Sequence, residues 1–322
     1  DLNDPVWKAA VRYEAPGIPR PSQRLIIEGL INEIAQEANY RLSRSGLSVG
    51  IGFEQRSDLQ AQLTYRVQAR RLEDVDPAAL VAGDPWLSVL DDVNNPIEYR
   101  LQGGPALQLI WDGRDDRFNP TQGALTSGQL QIADGLFSDV THVRLSSRGE
   151  QLWPIRGTVL RLGLLGGVGL SAPGTTLPLE DRFFLGGTDS LRGFALDSVG
   201  PANYTLRPDI DFPVQFDPII DATTLREDPT HWIATGGDAR LAGSLELRVP
   251  LSMLGIGDWE TTSAVVFADV GQAVFLDRDI ATVGSPDGVA TPPLRTGIGA
   301  GIRQGTPIGP AAVDIGYNPA PI

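Results

Sequence analysis

Residues 58–70 read DLQAQLTYRVQAR and alternate polar and apolar side chains at every step. One set of alternate positions holds Asp58, Gln60, Gln62, Thr64, Arg66, Gln68 and Arg70, and the other holds Leu59, Ala61, Leu63, Tyr65, Val67 and Ala69. Side chains of a β-strand point alternately to its two faces. The stretch is therefore predicted to be a strand with one charged face and one apolar face.

The same period of two returns around Arg240–Val249, in Leu294–Arg303 and in Ala311–Asn318. The segment Gln23–Asn39 fits an amphipathic helix or a strand, and its position before the strand-like Leu47–Gln55 leads us to predict a strand. Roughly twelve strands can be read along the chain in this way.

A soluble β-sandwich and a membrane β-barrel both explain such alternation. Strands of about 10 to 13 residues match a tilted bilayer crossing better than the usual five or six. Charged polar faces suit a wide, wet lumen, while a membrane helix would need an apolar run of roughly 18 residues that the sequence lacks. We predict an all-β fold, a transmembrane antiparallel β-barrel. The side chains predicted to point outward to lipid are Leu59, Leu63, Leu245, Leu247, Ile298 and Val313.

The connections between the predicted strands alternate in length, as they do in outer-membrane barrels. The short ones are Gln55–Ser57, Gly113–Gln122, Leu152–Pro154, Leu251–Glu260 and Gly305–Gly309. The longer ones are Leu72–Asn95, Asp134–Asp139, Ser171–Thr235 and Leu276–Pro293. A sandwich has no reason to follow this rule, so the connections favour the barrel.

Composition argues against several other classes of protein. The 322 residues carry 40 acidic and 26 basic side chains, a net charge of −14, no cysteine and two histidines. An acidic chain is a poor nucleic-acid binder, and two distant histidines without cysteine offer no metal or thiol site. The carboxylates of Trp111–Asp116 fit a charged turn better than an acid–base pair. We expect no enzyme, no metal and no cofactor.

One long connection contains a motif that composition does not explain, Arg182–Phe194, which reads RFFLGGTDSLRGF. It resembles the loop motif of BamA/TamA-type outer-membrane assembly barrels, the bacterial surface antigen superfamily. Four further stretches resemble that family in the same order along the chain. They are WDGRDDRFNPTQG at 111–123, SLELRVPL at 244–251, FADVG at 267–271 and RTGIGAGIR at 295–303.

The resemblance implies a barrel of about sixteen strands, within the range of outer-membrane barrels, preceded by periplasmic POTRA domains. No POTRA domain is read here, so residues 1–322 are expected to be the barrel domain, incomplete at both ends. The implied function is assembly and insertion of β-barrel proteins into the bacterial outer membrane through a lateral seam. The implied partners are unfolded barrel clients, membrane lipid and periplasmic or lipoprotein accessory subunits.

The resemblance also places an Arg–Asp contact inside the barrel. The loop motif is Leu191, Arg192, Gly193 and Phe194, its lumen partners are Asp269 and Glu246, and the structural positions are Gly186, Gly187, Phe267 and Gly271. Strand parity independently points Asp269 and Glu246 inward. A two-partner secretion pore would share these motifs, and a passive porin would share only the alternation. An enzyme is the weakest alternative.

Overall fold

A computed structural model describes residues 7–36, 40–56, 58–73, 75, 79–81, 83–86, 99–204, 232–255, 262–276, 293–306 and 309–319. Within these ranges the chain is built almost entirely of β-strands. The strands are β1 (Trp7–Pro16), β2 (Gln23–Gln36), β3 (Arg41–Arg56), β4 (Leu59–Glu73), β5 (Arg100–Asp112), β6 (Gly123–Asp134), β7 (Thr141–Ile155), β8 (Thr158–Ser171), β9 (Ala202–Tyr204), β10 (Trp232–Ala234), β11 (Ala239–Pro250), β12 (Thr262–Val274), β13 (Arg295–Thr306) and β14 (Gly309–Tyr317).

Twelve of these strands form one antiparallel sheet in which every strand pairs with its neighbours in chain order. The order is interrupted once, where β8 pairs with β11 across the long connection, and the short strands β9 and β10 pair separately. The prediction of an all-β antiparallel fold is confirmed. Within the part of the chain that the structure describes, no helix has the length and apolarity needed to cross a membrane.

The three longest connections, 74–99, 172–238 and 275–294, share one end of the sheet, as predicted. Length does not alternate strictly, because 37–40 and 135–140 at that end are shorter than 113–122 and 251–261 at the other. The short-turn end has 17–22, 57–58, 113–122, 156–157, 251–261 and 307–308, and the long-loop end has 37–40, 74–99, 135–140, 172–238 and 275–294. Two further predictions from the sequence lie mostly outside the described residues. One is a short helical turn within Asp76–Val93, and the other is an acidic outer part of the long loop, formed by Asp197, Asp209, Asp211, Asp217, Asp221, Glu227 and Asp228.

The turn predicted at Leu152–Pro154 is wrong. Strand β7 continues to Ile155, and the chain reverses at Arg156 and Gly157, which have φ angles of 51° and 87°. Positive φ at both central residues is the geometry of a type I′ hairpin turn, which favours glycine. Gly157 is therefore the residue that marks the turn in the sequence. Pro154 lies within β7, near its end, where a strand tolerates proline.

Segment 23–39 confirms the strand prediction over the helix. Strand β2 pairs with β1 and β3 over nearly its whole length, with a register irregularity near Leu30. Ile26 lies on one face and is 1% exposed. A helix would have left the edges of β1 and β3 without the strand that joins them.

The two faces of the sheet have the predicted polarity. Leu63, Leu245, Ile298 and Val313 are exposed on the outer face. Leu59 and Leu247 share that face by register, because Leu59 lies opposite Trp111 and Leu247 opposite Val266, both of which are exposed. On the opposite face of the sheet, Asp269 is 3% exposed and Glu246 is 2% exposed. The outward prediction is confirmed.

The described parts of the long loop, residues 172–204 and 232–238, cover one face of the sheet, which we call the inner face. The side chains of the loop reach Arg70 on β4 and Asp314 on β14, which are distant in strand order. A flat sheet would hold these strands far apart, because adjacent strands lie about 4.8 Å apart. The sheet therefore curls around the loop.

Candidate functional site

The tip motif, Leu191–Phe194, is presented by a compact turn of the long loop. Gly187 N–H donates to the Phe194 carbonyl at 3.1 Å, and Leu191 N–H donates to the Gly187 carbonyl at 3.2 Å. Gly186 and Gly187 both have positive φ, and a Cβ on Gly186 would lie 2.2 Å from the Ala195 carbonyl oxygen. These glycines are required because a side chain would clash or strain the backbone.

An apolar cluster holds the turn against the sheet. Leu185, Leu191 and Val199 are fully buried and pack with Ala242 and Ala273 of the inner face. Phe194 packs against the same cluster and stays partly exposed. Burying side chains of this size contributes about 1.5–3 kcal/mol each, so the tip has a fixed position before its charge is considered.

Arg192 forms the centre of the site. Its Nε and Nη2 donate to the two carboxylate oxygens of Asp269, both at 2.8 Å, and its backbone N–H donates to the same side chain at 3.1 Å. Its Nη1 donates to Glu246 Oε2 at 2.9 Å. The guanidinium carbon also lies 3.4 Å from the centre of the Phe267 ring. This bidentate, charge-assisted geometry is among the strongest that side chains form.

Two further arginines complete the charge of the site. Arg303 Nη2 donates to Glu246 Oε2 at 3.0 Å and to Asp314 Oδ2 at 2.9 Å, while Arg192 Nη1 reaches the same Asp314 oxygen at 3.2 Å. Arg248 Nε donates to the second oxygen of Glu246 at 2.8 Å. We call these six side chains the tip network: Arg192, Arg248, Arg303, Glu246, Asp269 and Asp314. Three positive charges face three negative ones, so the buried network is neutral.

Glycines of the inner face make room for the tip. A Cβ on Gly297 would lie 2.1 Å from the Arg192 carbonyl oxygen, and one on Gly316 would lie 2.5 Å from the Gly193 nitrogen. A Cβ on Gly271 would lie 2.9 Å from Ala242 and 3.0 Å from Leu185. The loop backbone therefore rests directly on the backbones of β13 and β14.

Burial alone would lower the pKa of Arg192, but its hydrogen bonds to Asp269 outweigh burial and the pKa rises. The guanidinium stays charged at any working pH. Breaking one side of such a buried ion pair costs about 3–5 kcal/mol, because the remaining charge is left without its partner. The tip network is suited to fastening the loop.

A second group of charges fastens the loop near its start, and sequence reasoning missed it. Asp181 accepts hydrogen bonds from Arg70 Nη1 at 3.1 and 3.2 Å and from Gln102 Nε2 at 2.7 Å. His142 Nε2 lies 3.3 Å from the same carboxylate, and Glu180 Oε1 lies 3.7 Å from Arg70. We call this group the upper anchor; its members are Arg70, Gln102, His142, Glu180 and Asp181. It joins the loop to β4, β5 and β7.

Arg182, the first residue of the quoted motif, ties this region to another connection. Its guanidinium is fully buried and donates to the carboxylate of Asp84, to the Ala79 carbonyl at 3.0 Å and to the Thr235 carbonyl at 2.9 Å. Its Nε donates to the Leu177 carbonyl at 3.0 Å. One arginine thus joins three separate stretches of chain.

The two acids of the upper anchor differ in protonation. Burial raises the pKa of Glu180 to about 7, and the adjacent charge of Asp181 adds to this effect. Burial would also raise the pKa of Asp181, but the charge of Arg70 outweighs it and lowers that pKa strongly. Trp86 Nε1 donates to Glu180 at 2.8 Å. Glu180 is therefore the titrating member of the pair near neutral pH.

The structure brings Arg192, Asp269 and Glu246 together, as predicted, and also places the Phe267 ring against the Arg192 guanidinium. Leu191, Gly193 and Phe194 surround them, while Gly186, Gly187 and Gly271 shape the path of the loop without touching the carboxylates. Arg248, Arg303 and Asp314 were missed as members of the site. All three lie in stretches that showed strand alternation, so their inward direction was readable although their pairing was not.

Across the described ranges, no cluster of three or more histidine, aspartate or glutamate side chains is placed to hold a metal ion.

A family model described as the Omp85 superfamily domain matches residues 5–320. The chain belongs to the Omp85 superfamily. The resemblance drawn from the loop motif is therefore confirmed. In solved structures, BamA from Haemophilus ducreyi lacking POTRA domains 1–3 superposes with a TM-score of 0.75 at 18% identity, over 98% of this chain and 59% of that one. This likeness shows that the two chains share a fold.

Curated relatives match over a shorter stretch. The sorting and assembly machinery component 50 homologues of Bos taurus and Mus musculus are 30% and 29% identical to this chain over 106 and 104 residues. Each alignment covers 32% of this chain and 22% of the relative. The Omp85 chain described here thus matches about a fifth of the length of these proteins.

Proposed function

We propose that this Omp85 chain is the membrane part of a factor that folds and inserts β-barrel proteins into a bacterial outer membrane. The single observation that carries the proposal is the tip network, which joins a long loop to four neighbouring strands inside a curled antiparallel sheet. Membership of the Omp85 superfamily and the shared fold with BamA support it.

The proposed mechanism uses no bond-making chemistry. A client strand pairs its backbone with an unpaired strand edge, which gives the client its first hydrogen bonds before it leaves water. The outer face supplies exposed apolar side chains for lipid, and the loop keeps the inner wall in shape while the edge opens. The clients are unfolded barrel proteins, and periplasmic or lipoprotein subunits deliver them.

The experiment is reconstitution of the full-length protein in liposomes with a urea-unfolded, eight-stranded outer-membrane barrel as client. We expect folding at least about tenfold faster than in empty liposomes, equivalent to about 1.4 kcal/mol of barrier, measured by the heat-dependent gel mobility of the folded client. Protein that leaves folding unchanged but carries a soluble substrate across the membrane is a secretion pore. Protein that only releases small solutes is a porin.

A further inference from the structure

Arg66 of β4 lies on the inner face of the sheet without an acidic neighbour. It shares strand parity with Arg70, whose side chain contacts the long loop, so both face inward. The strand register gives Arg66 neighbours on the same face along β4 and on the two adjacent strands. None of these neighbours carries a charge: they are Thr64, Gln68, Gly46, Ser48, Gly50, Gln102, Gly104 and Ala106. Within the described part of the chain, the Arg66 guanidinium has no hydrogen-bond partner.

A cavity of about 100 Å³ lies beside this arginine, on the part of the wall formed by β1 to β4. One water molecule needs a cavity of roughly 10–15 Å³, so this cavity accommodates an ion of several heavy atoms. Its charged and polar lining consists of Lys8, Glu28, Glu33, Arg44, Ser48, Arg66 and Gln68.

The two acids of the cavity already have cations of their own. Glu33 accepts a hydrogen bond from Arg44 Nε at 2.7 Å and lies 3.6 Å from Lys8 Nζ. Glu28 accepts a hydrogen bond from Arg12 Nη1 at 3.4 Å. The lining itself holds three cations and two acids, so one positive charge is left in excess.

The side chains around the excess charge offer hydrogen-bond donors. Arg44 uses its Nε on Glu33, and among the described residues neither of its terminal nitrogens has a partner. The Ser48 side chain lies directly opposite Arg66 on the neighbouring strand. Gln68 accepts a hydrogen bond from Arg70 through Oε1 at 3.2 Å, which leaves its amide nitrogen as a donor. Guanidinium groups and neutral donors around a positive cavity are the arrangement that binds oxyanions.

We propose that this cavity, the arginine pocket, binds a phosphate group. A tetrahedral phosphate presents at least three acceptor oxygens, enough for Arg66, Arg44 and Ser48 together, whereas a carboxylate presents two. The bound anion would join β3 to β4 and offset the repulsion that Arg44 and Arg70 exert on Arg66. The phosphate comes either from a free phosphate ion or from the headgroup of a lipid that enters beside β1, which forms one edge of the twelve-stranded sheet.

Equilibrium dialysis of the full-length protein in a phosphate-free sugar detergent tests the pocket, with labelled inorganic phosphate as the probe at constant ionic strength. Arg66→Gln removes the excess cation. Arg148→Gln is the matched control, because Arg148 is an inner-face arginine of β7 that lies outside the pocket and donates to the Asp189 carbonyl. We expect Arg66→Gln to weaken phosphate binding at least about tenfold, and Arg148→Gln by less than about twofold. Wild type that binds no phosphate, or an equal loss in both variants, would overturn the proposal.

A second variant keeps the test decisive if Arg66→Gln loses its heat-dependent gel mobility and so has not folded. Arg66→Lys retains the charge but loses the planar fork of the guanidinium. We expect it to weaken phosphate binding several-fold, and unchanged binding in this variant would count against the pocket.

Two competitors identify the ligand and its source. Acetate should displace labelled phosphate poorly, and acetate that binds as tightly as phosphate would overturn the assignment to phosphate. Dihexanoyl phosphatidic acid carries a phosphate on a short-chain lipid. Binding of this lipid at least about tenfold tighter than inorganic phosphate supports a lipid headgroup as the source, and equal or weaker binding supports the free ion.

Discussion

Arg192 and Arg303 bind the same two carboxylates. Arg192 comes from the loop and Arg303 from β13, yet each guanidinium donates to Glu246 on β11 and to Asp314 on β14. The two cations lie close together only because three acids surround them. The loop is thus held by a network that also joins the strands to one another, and its parts should not act independently.

Replacing the loop arginine should release the tip without unfolding the sheet. In Arg192→Ala, Asp269 loses its principal partner and Glu246 loses one of three arginines, and the loop should lose about 3–5 kcal/mol of attachment. Hydrogen exchange of residues 186–199 should accelerate, while exchange in β2 to β5 stays unchanged. The paired reversal Arg192→Asp with Asp269→Arg should recover part of the loss. Equal exchange in wild type and Arg192→Ala would contradict the role of the network.

Removing the second cation should weaken the same attachment from a distance. Arg303→Gln leaves Glu246 and Asp314 with less positive charge, so loop exchange should rise although Arg303 lies outside the loop. The combined loss with Arg192→Ala should differ from the sum of the single losses by about 0.5–3 kcal/mol. The control is Arg12→Gln, which removes exposed ion pairs on β1, far from the loop. Strict additivity would show that the two arginines act separately.

Adding a methyl group beneath the tip should displace it. In Gly297→Ala the new Cβ would lie 2.1 Å from the Arg192 carbonyl oxygen, so backbone must move. We expect protease cleavage after Arg192 to become faster, with the sheet still folded. Gly29→Ala on β2 is the matched control, since no atom lies within 4 Å of its Cβ. Unchanged cleavage in Gly297→Ala would mean that the tip does not rest on β13.

The upper anchor should loosen as pH rises. The folded protein binds the Glu180 proton more tightly than the unfolded chain does, because the pKa rises from 4.5 to about 7. This stabilisation is present below pH 4.5 and is lost as pH rises through 7, so loop opening should become easier by about 2 kcal/mol between pH 5 and 8. Hydrogen exchange of 177–183, corrected for intrinsic rates, measures it.

The control for pH is Glu180→Gln, which keeps the shape but cannot ionise. Its loop should show a nearly flat response over the same range. Asp181 does not interfere, because its lowered pKa makes it titrate at lower pH. If the glutamine variant keeps the full pH response, another group is responsible.

Much of the fold could be predicted because strand parity is a local property. Alternation in 58–70, 240–249 and 267–271 assigned each side chain to a face, including the inward direction of Asp269 and Glu246. Glycine motifs located the loop. The turn predicted at Leu152–Pro154 lies instead at Arg156 and Gly157, after β7 has continued to Ile155.

The missed contacts depend on strand register and on distances along the chain that no local pattern encodes. Asp314 meets Arg192 only because β14 pairs with β13 in one register, with Gly301 opposite Asp314. Arg70 and Asp181 are 111 positions apart, and Arg182 and Asp84 are 98 apart. In the sequence each of these residues resembles a solvent-exposed charged side chain, because its partner is close only in the folded protein.

The loop is fastened at two separate places, to β4 and β5 by the upper anchor and to β11 through β14 by the tip network. The loop therefore connects two separated parts of the curved sheet. The sheet can flatten only if the loop between these two attachments extends or if the ion pairs at one attachment break. The curvature of the wall and the position of the loop therefore depend on the same few contacts.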